Sequence, residues 1–287
     1  MQKFKGVKLT LKRFWDFLLF GNVYVALGAA CLVQSSSTQL QLNDVLIPYS
    51  FLVFFATLFV YNFQRIFYKP QQNTTLHSVR RIWIFNNASL IKVLALIGFT
   101  GVSVSFFYVD KHLIFYLSPL LILCLAYFIP IVKLRKHPFL KLFTLVSVWT
   151  MVTAVVPILL KNQSLTDLKN IFHICIRFCF MLAICIPFDI RDLKIDEADE
   201  ISTLPHLLGE NKTRRFAIFF MILYEALIVA AYCFQFLTFP VFAALILSAI
   251  INTVLVALSS SKRSEYFFVA GIDGTMILQG VLLYLAT

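Results

Sequence analysis

The stretch "FDIRDLKID", residues 188–196, closes a long apolar run with three aspartates. Asp189, Asp192 and Asp196 are spaced three and then four residues apart, which places all three carboxylates on one face of an α-helix. Like charges repel one another, and the dipole disfavours them near the C-terminal end of a helix. The stretch is therefore either a solvated helix terminus or a site for a cation. Oxygen ligands of this kind favour Mg²⁺ bridged to a phosphate.

The apolar content of the chain predicts a membrane protein. Its 287 residues are 60% hydrophobic and only 14% charged, and its mean hydropathy is +0.84. The apolar runs reach about 20 residues, enough to span a hydrocarbon core of about 30 Å as helices. We predict an all-α polytopic fold of about nine transmembrane helices around a central cavity, forming one domain over residues 1–287. The predicted helices are 14–34, 45–64, 86–108, 112–132, 142–160, 170–188, 216–236, 239–258 and 266–285.

The net charge of +11 reports orientation in the membrane. Basic residues cluster before the first predicted helix and after the second, fourth, sixth and eighth, whereas the other side carries only Lys111, Lys161 and Lys169. The positive-inside rule then places the N-terminus and the polar connections 65–85 and 189–215 in the cytoplasm. We expect these connections to cap the cavity. The charge predicts contact with anionic lipid and not with nucleic acid, in a multi-pass protein of a bacterial inner membrane.

A second polar face lies where the second predicted helix ends. In "YNFQRIFYK", residues 61–69, Asn62, Arg65 and Lys69 repeat the three-then-four spacing of the aspartates. One face of each helix end therefore carries a polar triad, neutral and basic in the second helix and acidic in the sixth. We expect the two triads to face each other across the cavity.

These features resemble the UbiA superfamily of intramembrane prenyltransferases. Asp189, Asp192 and Asp196 are similar to its second aspartate-rich motif, and "STLPHLLGENKTRR", residues 202–215, is similar to the Thr-Leu-Pro…Gly segment that follows. In "YFIPIVKLR", residues 127–135, a Tyr…Lys…Arg pattern resembles the motif after the fourth helix. The resemblance covers essentially the whole chain.

The resemblance implies transfer of a prenyl group from an isoprenoid diphosphate to an aromatic or lipid acceptor, as in quinone or related lipid biosynthesis. It implies catalytic roles for Asp189, Asp192 and Asp196, and it makes Asp192 and Asp196 ligands of Mg²⁺. The diphosphate-binding residues that it implies are Asn62, Arg65, Lys69, Tyr127, Lys133 and Arg135.

The first motif departs from the family pattern. The family's NDxxDxxxD run holds Mg²⁺ against the diphosphate, but Asn62, Arg65 and Lys69 stand at its three aspartate positions here. Because cations repel Mg²⁺, we expect a weakened metal requirement. Arg65 and Lys69 either contact diphosphate directly or pair with the acidic triad, and the sequence leaves both open. Without ligand, we expect one of them within salt-bridge reach of an aspartate.

Two other functions compete with prenyl transfer. The altered first motif also fits a non-catalytic isoprenoid- or lipid-binding relative. A transporter is disfavoured, because the sequence shows no inverted repeat with broken helices in matching halves. Arg177 and Glu225 fall inside predicted helices, where charges are usually partnered, so we expect them either to pair or to line the cavity.

Overall fold

The structure is a computed structural model that describes residues 2–41, 46–67, 78–113, 115–120, 138–198 and 201–287. These residues form helices and short connections without a strand, so the predicted all-α class is confirmed. The helices are α1 Gln2–Phe20, α2 Val23–Leu40, α3 Ile47–Phe67, α4 Val79–Asn86, α5 Ala88–Ser105, α6 Pro138–Thr150, α7 Val156–Leu160, α8 Leu168–Ala198, α9 Leu204–Leu208, α10 Glu210–Cys233, α11 Phe239–Ala257 and α12 Gly274–Leu285. A π-helical turn, Met151–Val155, joins α6 to α7, and another, Phe267–Ile272, precedes α12.

The described residues contain seven helical segments that are long and apolar enough to cross a membrane. An eighth results if Thr10–Phe20 and Val23–Leu40 form one bent span. The predicted count of nine is not confirmed, because most of the predicted helix 112–132 lies outside the described residues. Within it, 115–120 are helical.

The first predicted helix, 14–34, is wrong as one continuous element. α1 ends at Phe20 and α2 begins at Val23, and the two axes are bent by 57°. Asn22 holds the turn in the left-handed conformation, with φ of 63°, which asparagine tolerates better than most residues.

The sixth predicted helix is longer than its apolar run. α8 continues to Ala198, so residues 189–198 are helical, and the connection that we predicted from 189 begins later. Ile190 is fully buried there, and the carboxylates have cationic partners, which together favour almost three further turns of helix, at about 3.6 residues per turn. The acidic triad thus lies on the helix and not in the connection that follows it.

Apolar side chains fill the interior of the bundle and also cover its outside. Phe180 of α8 is fully buried and lies 5.5 Å, between ring centroids, from the equally buried Tyr224 of α10. Phe51, Phe99 and Phe219 are each more than half exposed. An exposed apolar surface of this kind is what a helix bundle presents to lipid.

The predicted pair between Arg177 and Glu225 is wrong. Arg177 is 2% exposed, and its guanidinium donates to Gln279 Oε1 at 3.0 Å and to the carbonyl oxygen of Leu32 at 3.1 Å. Glu225 instead accepts a hydrogen bond of 2.7 Å from Thr253. Arg177 therefore joins α8 to α2 and α12 through neutral acceptors, because the planar guanidinium reaches several of them at once.

Candidate functional site

The acidic face of α8 meets a lysine from another helix. Lys141, near the start of α6, donates to Asp189 Oδ1 at 2.9 Å, and its Nζ lies 4.0 Å from Asp196 Oδ2. Both aspartates are buried, with 7% and 8% of their surface exposed. Because residues seven apart lie on one helix face, a single ammonium reaches both carboxylates.

The middle aspartate is held by two arginines. Arg191 donates from Nε to Asp192 Oδ1 at 2.8 Å and from Nη2 to Oδ2 at 2.6 Å, which is the bidentate geometry that a guanidinium and a carboxylate favour. Arg80 Nη2 lies 3.6 Å from Asp192 Oδ1. The Arg191 guanidinium also lies over the ring of Phe188, 4.7 Å from its centroid. We refer to Arg80, Lys141, Arg191 and the three aspartates as the charged cluster.

A short helix brings Arg80 to the cluster. α4 begins after Ser78, whose side chain accepts a hydrogen bond from the backbone N–H of Arg81 at 3.2 Å. The backbone N–H of Arg80 donates to Glu265 Oε2 at 2.7 Å, which ties α4 to the segment before the last span. Burial lowers the pKa of the Arg80 guanidinium, and the nearby positive charge of Arg191 lowers it further, while Asp192 opposes both effects.

Two members of the basic triad, Asn62 and Arg65, bond to the turn between α1 and α2. Asn62 is fully buried, and its Nδ2 donates to the carbonyl oxygens of Gly21 at 3.0 Å and Leu58 at 2.8 Å. Its Oδ1 accepts from Asn22 Nδ2 at 3.1 Å. Arg65 Nη1 donates to the carbonyl oxygen of Phe20. These two side chains therefore hold the bend between α1 and α2.

We expected Arg65 or Lys69 within salt-bridge reach of an aspartate; Arg65 bonds to the backbone of Phe20, and since Lys69 lies outside the described residues the expectation stays a prediction. In the part of the chain that the structure describes, the cations on the acidic face are Arg80, Lys141 and Arg191. Lys69, Tyr127, Lys133 and Arg135 lie outside the described residues, so their predicted diphosphate contacts stay predictions.

The carboxylates do not converge as a metal site would require. Within the described ranges, no group of three or more His, Cys, Asp or Glu side chains could hold a metal ion. Asp189 Oδ2 is buried and accepts no hydrogen bond from the described part of the chain. Asp196 Oδ2 is also buried and accepts no hydrogen bond from these residues, and it lies 4.0 Å from the Lys141 ammonium. Two oxygens beside an ammonium offer an incomplete set of ligands for Mg²⁺, which needs near-octahedral oxygen coordination.

Sequence reasoning missed the three cations of the cluster. Arg191 stands inside the quoted motif, and its neighbour Asp192 was a signal for it. Lys141 and Arg80 were read only as loop charges that report orientation. Nothing in the local pattern could have joined Lys141 to Asp189, 48 residues away.

An apolar groove of about 520 Å³ lies away from the charged cluster. It opens between α2, α3 and α12, at the beginning of α3, and in its wall Gln34 Nε2 donates a hydrogen bond of 2.7 Å to Ser50 Oγ. Its walls include Phe51 and Tyr284, which are largely exposed. The groove therefore opens onto the outer surface of the helix bundle.

Three solved structures share the fold over nearly their whole length. An apo UbiA homologue from Aeropyrum pernix K1 has a TM-score of 0.63 at 16% identity, covering 92% of this chain and 97% of that one. A UbiA homologue from Archaeoglobus fulgidus, bound to GPP and Mg²⁺, has a TM-score of 0.62 at 8% identity, covering 94% and 99%. A structure described for digeranylgeranylglyceryl phosphate synthase has a TM-score of 0.55 at 14% identity, covering 96% and 97%.

No protein-family model and no curated protein sequence matches the chain. At these identities the likeness establishes architecture, and it confirms the predicted UbiA-like fold. The chain therefore has the fold of the UbiA homologues.

Proposed function

We propose that the protein transfers a prenyl group from an isoprenoid diphosphate to a lipophilic acceptor within the membrane. The observation that carries the proposal is the charged cluster, which lies on a helix that spans a bundle of the UbiA fold. The fold neighbour from Archaeoglobus fulgidus holds GPP, an isoprenoid diphosphate. Membrane lipid is the surrounding partner, and the cluster lies at the end of the bundle that the charge pattern assigns to the cytoplasm.

The cluster supplies what such a transfer needs from the protein. The allylic C–O bond breaks and its electron pair leaves with the diphosphate, so positive groups at the departing oxygen stabilise the transition state. Arg80 and Arg191 offer guanidinium donors suited to phosphate oxygens. The acceptor then forms the new bond to the allylic carbon and releases a proton, and the apolar interior keeps water from the allylic cation.

The aspartates position the cations in this proposal. Asp192 fixes the plane of the Arg191 guanidinium through two hydrogen bonds, and Asp189 fixes Lys141. A cation that is already oriented loses less entropy when ligand binds. In this proposal the role of the aspartates is to position the cations that contact the diphosphate.

Incubating the purified protein in nanodiscs with radiolabelled geranyl diphosphate and a membrane lipid extract tests the proposal. We expect a labelled apolar product from the wild type and a loss of at least about tenfold in its rate from Arg191→Ala, since one charge-assisted contact is worth about 1.5–3 kcal/mol. Arg215→Ala, at an exposed position on α10, is the matched control. Wild-type protein that binds and releases geranyl diphosphate without a product contradicts transfer.

That outcome would favour the second candidate, a non-catalytic isoprenoid- or lipid-binding relative. The observation in its favour is that Asn62 and Arg65, at first-motif positions, are bonded to the backbone of the α1–α2 bend. A protein in which these two side chains hold the helix bend can keep the fold and bind an isoprenoid without catalysing its transfer.

A further inference from the structure

A protein ammonium lies between two of the three aspartates. Lys141 Nζ is 2.9 Å from Asp189 Oδ1 and 4.0 Å from Asp196 Oδ2, and the two carboxylate side chains are 10% and 12% exposed. The aspartates are two turns apart on one face of α8, so a single charge bridges them. A divalent cation that bridged the same carboxylates would have to occupy the place that the ammonium takes.

The remaining carboxylate of the face is also neutralised within the protein. Both oxygens of Asp192 accept hydrogen bonds from Arg191, and Arg80 adds a second positive charge at 3.6 Å. Among the described residues, each of the three carboxylates therefore has at least one cationic partner. Arg65, Glu265 and Asp273 also act on this region, one with a positive and two with a negative charge.

The surroundings disfavour a divalent ion for two further reasons. A tethered ammonium has a high effective concentration at its own site, so a dissolved cation must displace it at a cost. The guanidinium groups of Arg80 and Arg191 also repel a second cation across a poorly solvated space. The buried Oδ2 atoms of Asp189 and Asp196, which accept no hydrogen bond from the described residues, give at most two ligand atoms, which do not offset these terms.

We propose that Lys141 is a built-in cation that takes the place of a divalent metal between Asp189 and Asp196. The inference rests on the proposed function, because it concerns how that same site holds a prenyl diphosphate. It adds that ligand binding there is independent of divalent cations. The Lys141 side chain then holds Asp189 and Asp196 together without a metal ion.

Binding of Mn²⁺ tests this proposal directly. The ion is titrated into the purified protein in detergent, and electron paramagnetic resonance measures how much Mn²⁺ remains free. We expect no saturable site for Mn²⁺ below about 1 mM in the wild type, since two carboxylate oxygens next to three cations lack the ligands that hard cations need. Lys141→Met keeps much of the aliphatic stem and removes the charge. We expect it to bind Mn²⁺ at least about tenfold more tightly, because repulsion falls and Asp189 is released.

Lys212→Met is the matched control, because Lys212 is exposed near the start of α10 and away from the three aspartates in the chain. It should leave Mn²⁺ binding as in the wild type. The inference is overturned by a wild type that binds Mn²⁺ saturably below about 1 mM, or by a folded Lys141→Met that gains no affinity. If Lys141→Met fails to fold, Lys141→Gln replaces it, and the wild-type titration is decisive by itself.

A second measurement separates this inference from the proposed function. Binding of geranyl diphosphate to the wild type is compared in EDTA and in excess Mg²⁺, and we expect the two dissociation constants to agree within about threefold, or less than 1 kcal/mol. Binding only with Mg²⁺ overturns the inference and leaves the proposed function standing. Absence of binding in both buffers overturns the proposed function, while the Mn²⁺ titration still decides the role of Lys141.

Discussion

Asn62 and Asn22 are joined by a hydrogen bond of 3.1 Å between their side chains, 40 residues apart in the chain. The bond connects the α3 position that opens the basic triad to the residue at which α1 turns into α2. Asn62 also binds the carbonyl oxygen of Gly21, which the break in the helix leaves without a regular partner. Asn62 thus stabilises the bend, and its place in the triad reflects the face of α3 that packs against that turn.

Asn62→Ala should destabilise the protein, because it leaves the buried carbonyl oxygen of Gly21 and the side chain of Asn22 without partners. The expected loss is about 1–3 kcal/mol in the free energy of unfolding. Thermal unfolding in detergent measures it, with Asn86→Ala at an exposed position as the control. Equal stability of the two variants would contradict the role of Asn62 in holding the bend.

Asp192→Ala should destabilise the protein more strongly. It leaves Arg191, whose side chain is 8% exposed, without the carboxylate that accepts two of its hydrogen bonds. Removing one partner of a buried ion pair costs about 3–5 kcal/mol, and we expect the lower end because the Asp192 side chain is 22% exposed.

The double variant Asp192→Ala/Arg191→Met tests the cause of that loss. With the guanidinium also removed, most of the stability should return, because no buried charge is left without a partner. The same thermal unfolding measurement applies. A double variant that is less stable than Asp192→Ala alone would show that the two side chains contribute separately.

Arg177→Lys should destabilise the bundle although it keeps the positive charge. One ammonium cannot reach Gln279 and the carbonyl oxygen of Leu32 with the planar geometry of the guanidinium. We expect a loss of about 1–3 kcal/mol, read from thermal unfolding in nanodiscs. Arg215→Lys, on an exposed surface, should be neutral, and an equally neutral Arg177→Lys would contradict the bridging role.

Alkaline pH should weaken the contact between α1 and the segment before the last span. Tyr266 donates a hydrogen bond of 2.6 Å to Asp16 Oδ1, and burial together with this bond raises the pKa of Tyr266 to about 12. Because the folded-state pKa lies above the unfolded value of about 10, the stabilisation is complete below that pH and is lost as the pH rises through about 12.

Tyr266→Phe isolates this effect. The difference in unfolding temperature between the wild type and Tyr266→Phe should shrink between about pH 10 and about pH 12. Tyr284→Phe, whose parent side chain is 79% exposed, should show no such trend. A difference that stays constant over this range would show that ionisation of Tyr266 does not change the stability of the fold.

The periodicity of apolar and charged residues in the sequence predicted those features that depend on a single helix. The apolar runs gave the spans, and the spacing of Asp189, Asp192 and Asp196 gave their common face, because both follow from 3.6 residues per turn. The break after Phe20 was missed because hydropathy stays high across it, although the Gly-Asn pair was a local turn signal. Nor did hydropathy show that charged residues 189–198 remain helical, since tertiary partners stabilise that segment.

Partners from distant elements could not be predicted in the same way. Asp189 pairs with Lys141 on α6 and Asp192 with Arg80 on α4, and which helices meet is a property of the assembled bundle. Arg65 shows the converse, because its position in the triad suggested a ligand or an aspartate, while the nearest acceptor in space is the backbone at Phe20. Spacing identifies a face, and packing decides what that face contacts.

The length of α8 sets the depth at which any reaction takes place. At 1.5 Å per residue, Asp189 stands about 32 Å along the helix from Leu168, slightly more than the thickness of the hydrocarbon layer. With Leu168 at one edge of that layer, the carboxylates and their cations lie at the level of the lipid headgroups on the other side. In the proposed function, an amphiphilic substrate keeps its chain in the bilayer and presents its polar end to the cluster without leaving the leaflet. The bilayer itself then aligns the substrate, and the protein has only to recognise the part that protrudes.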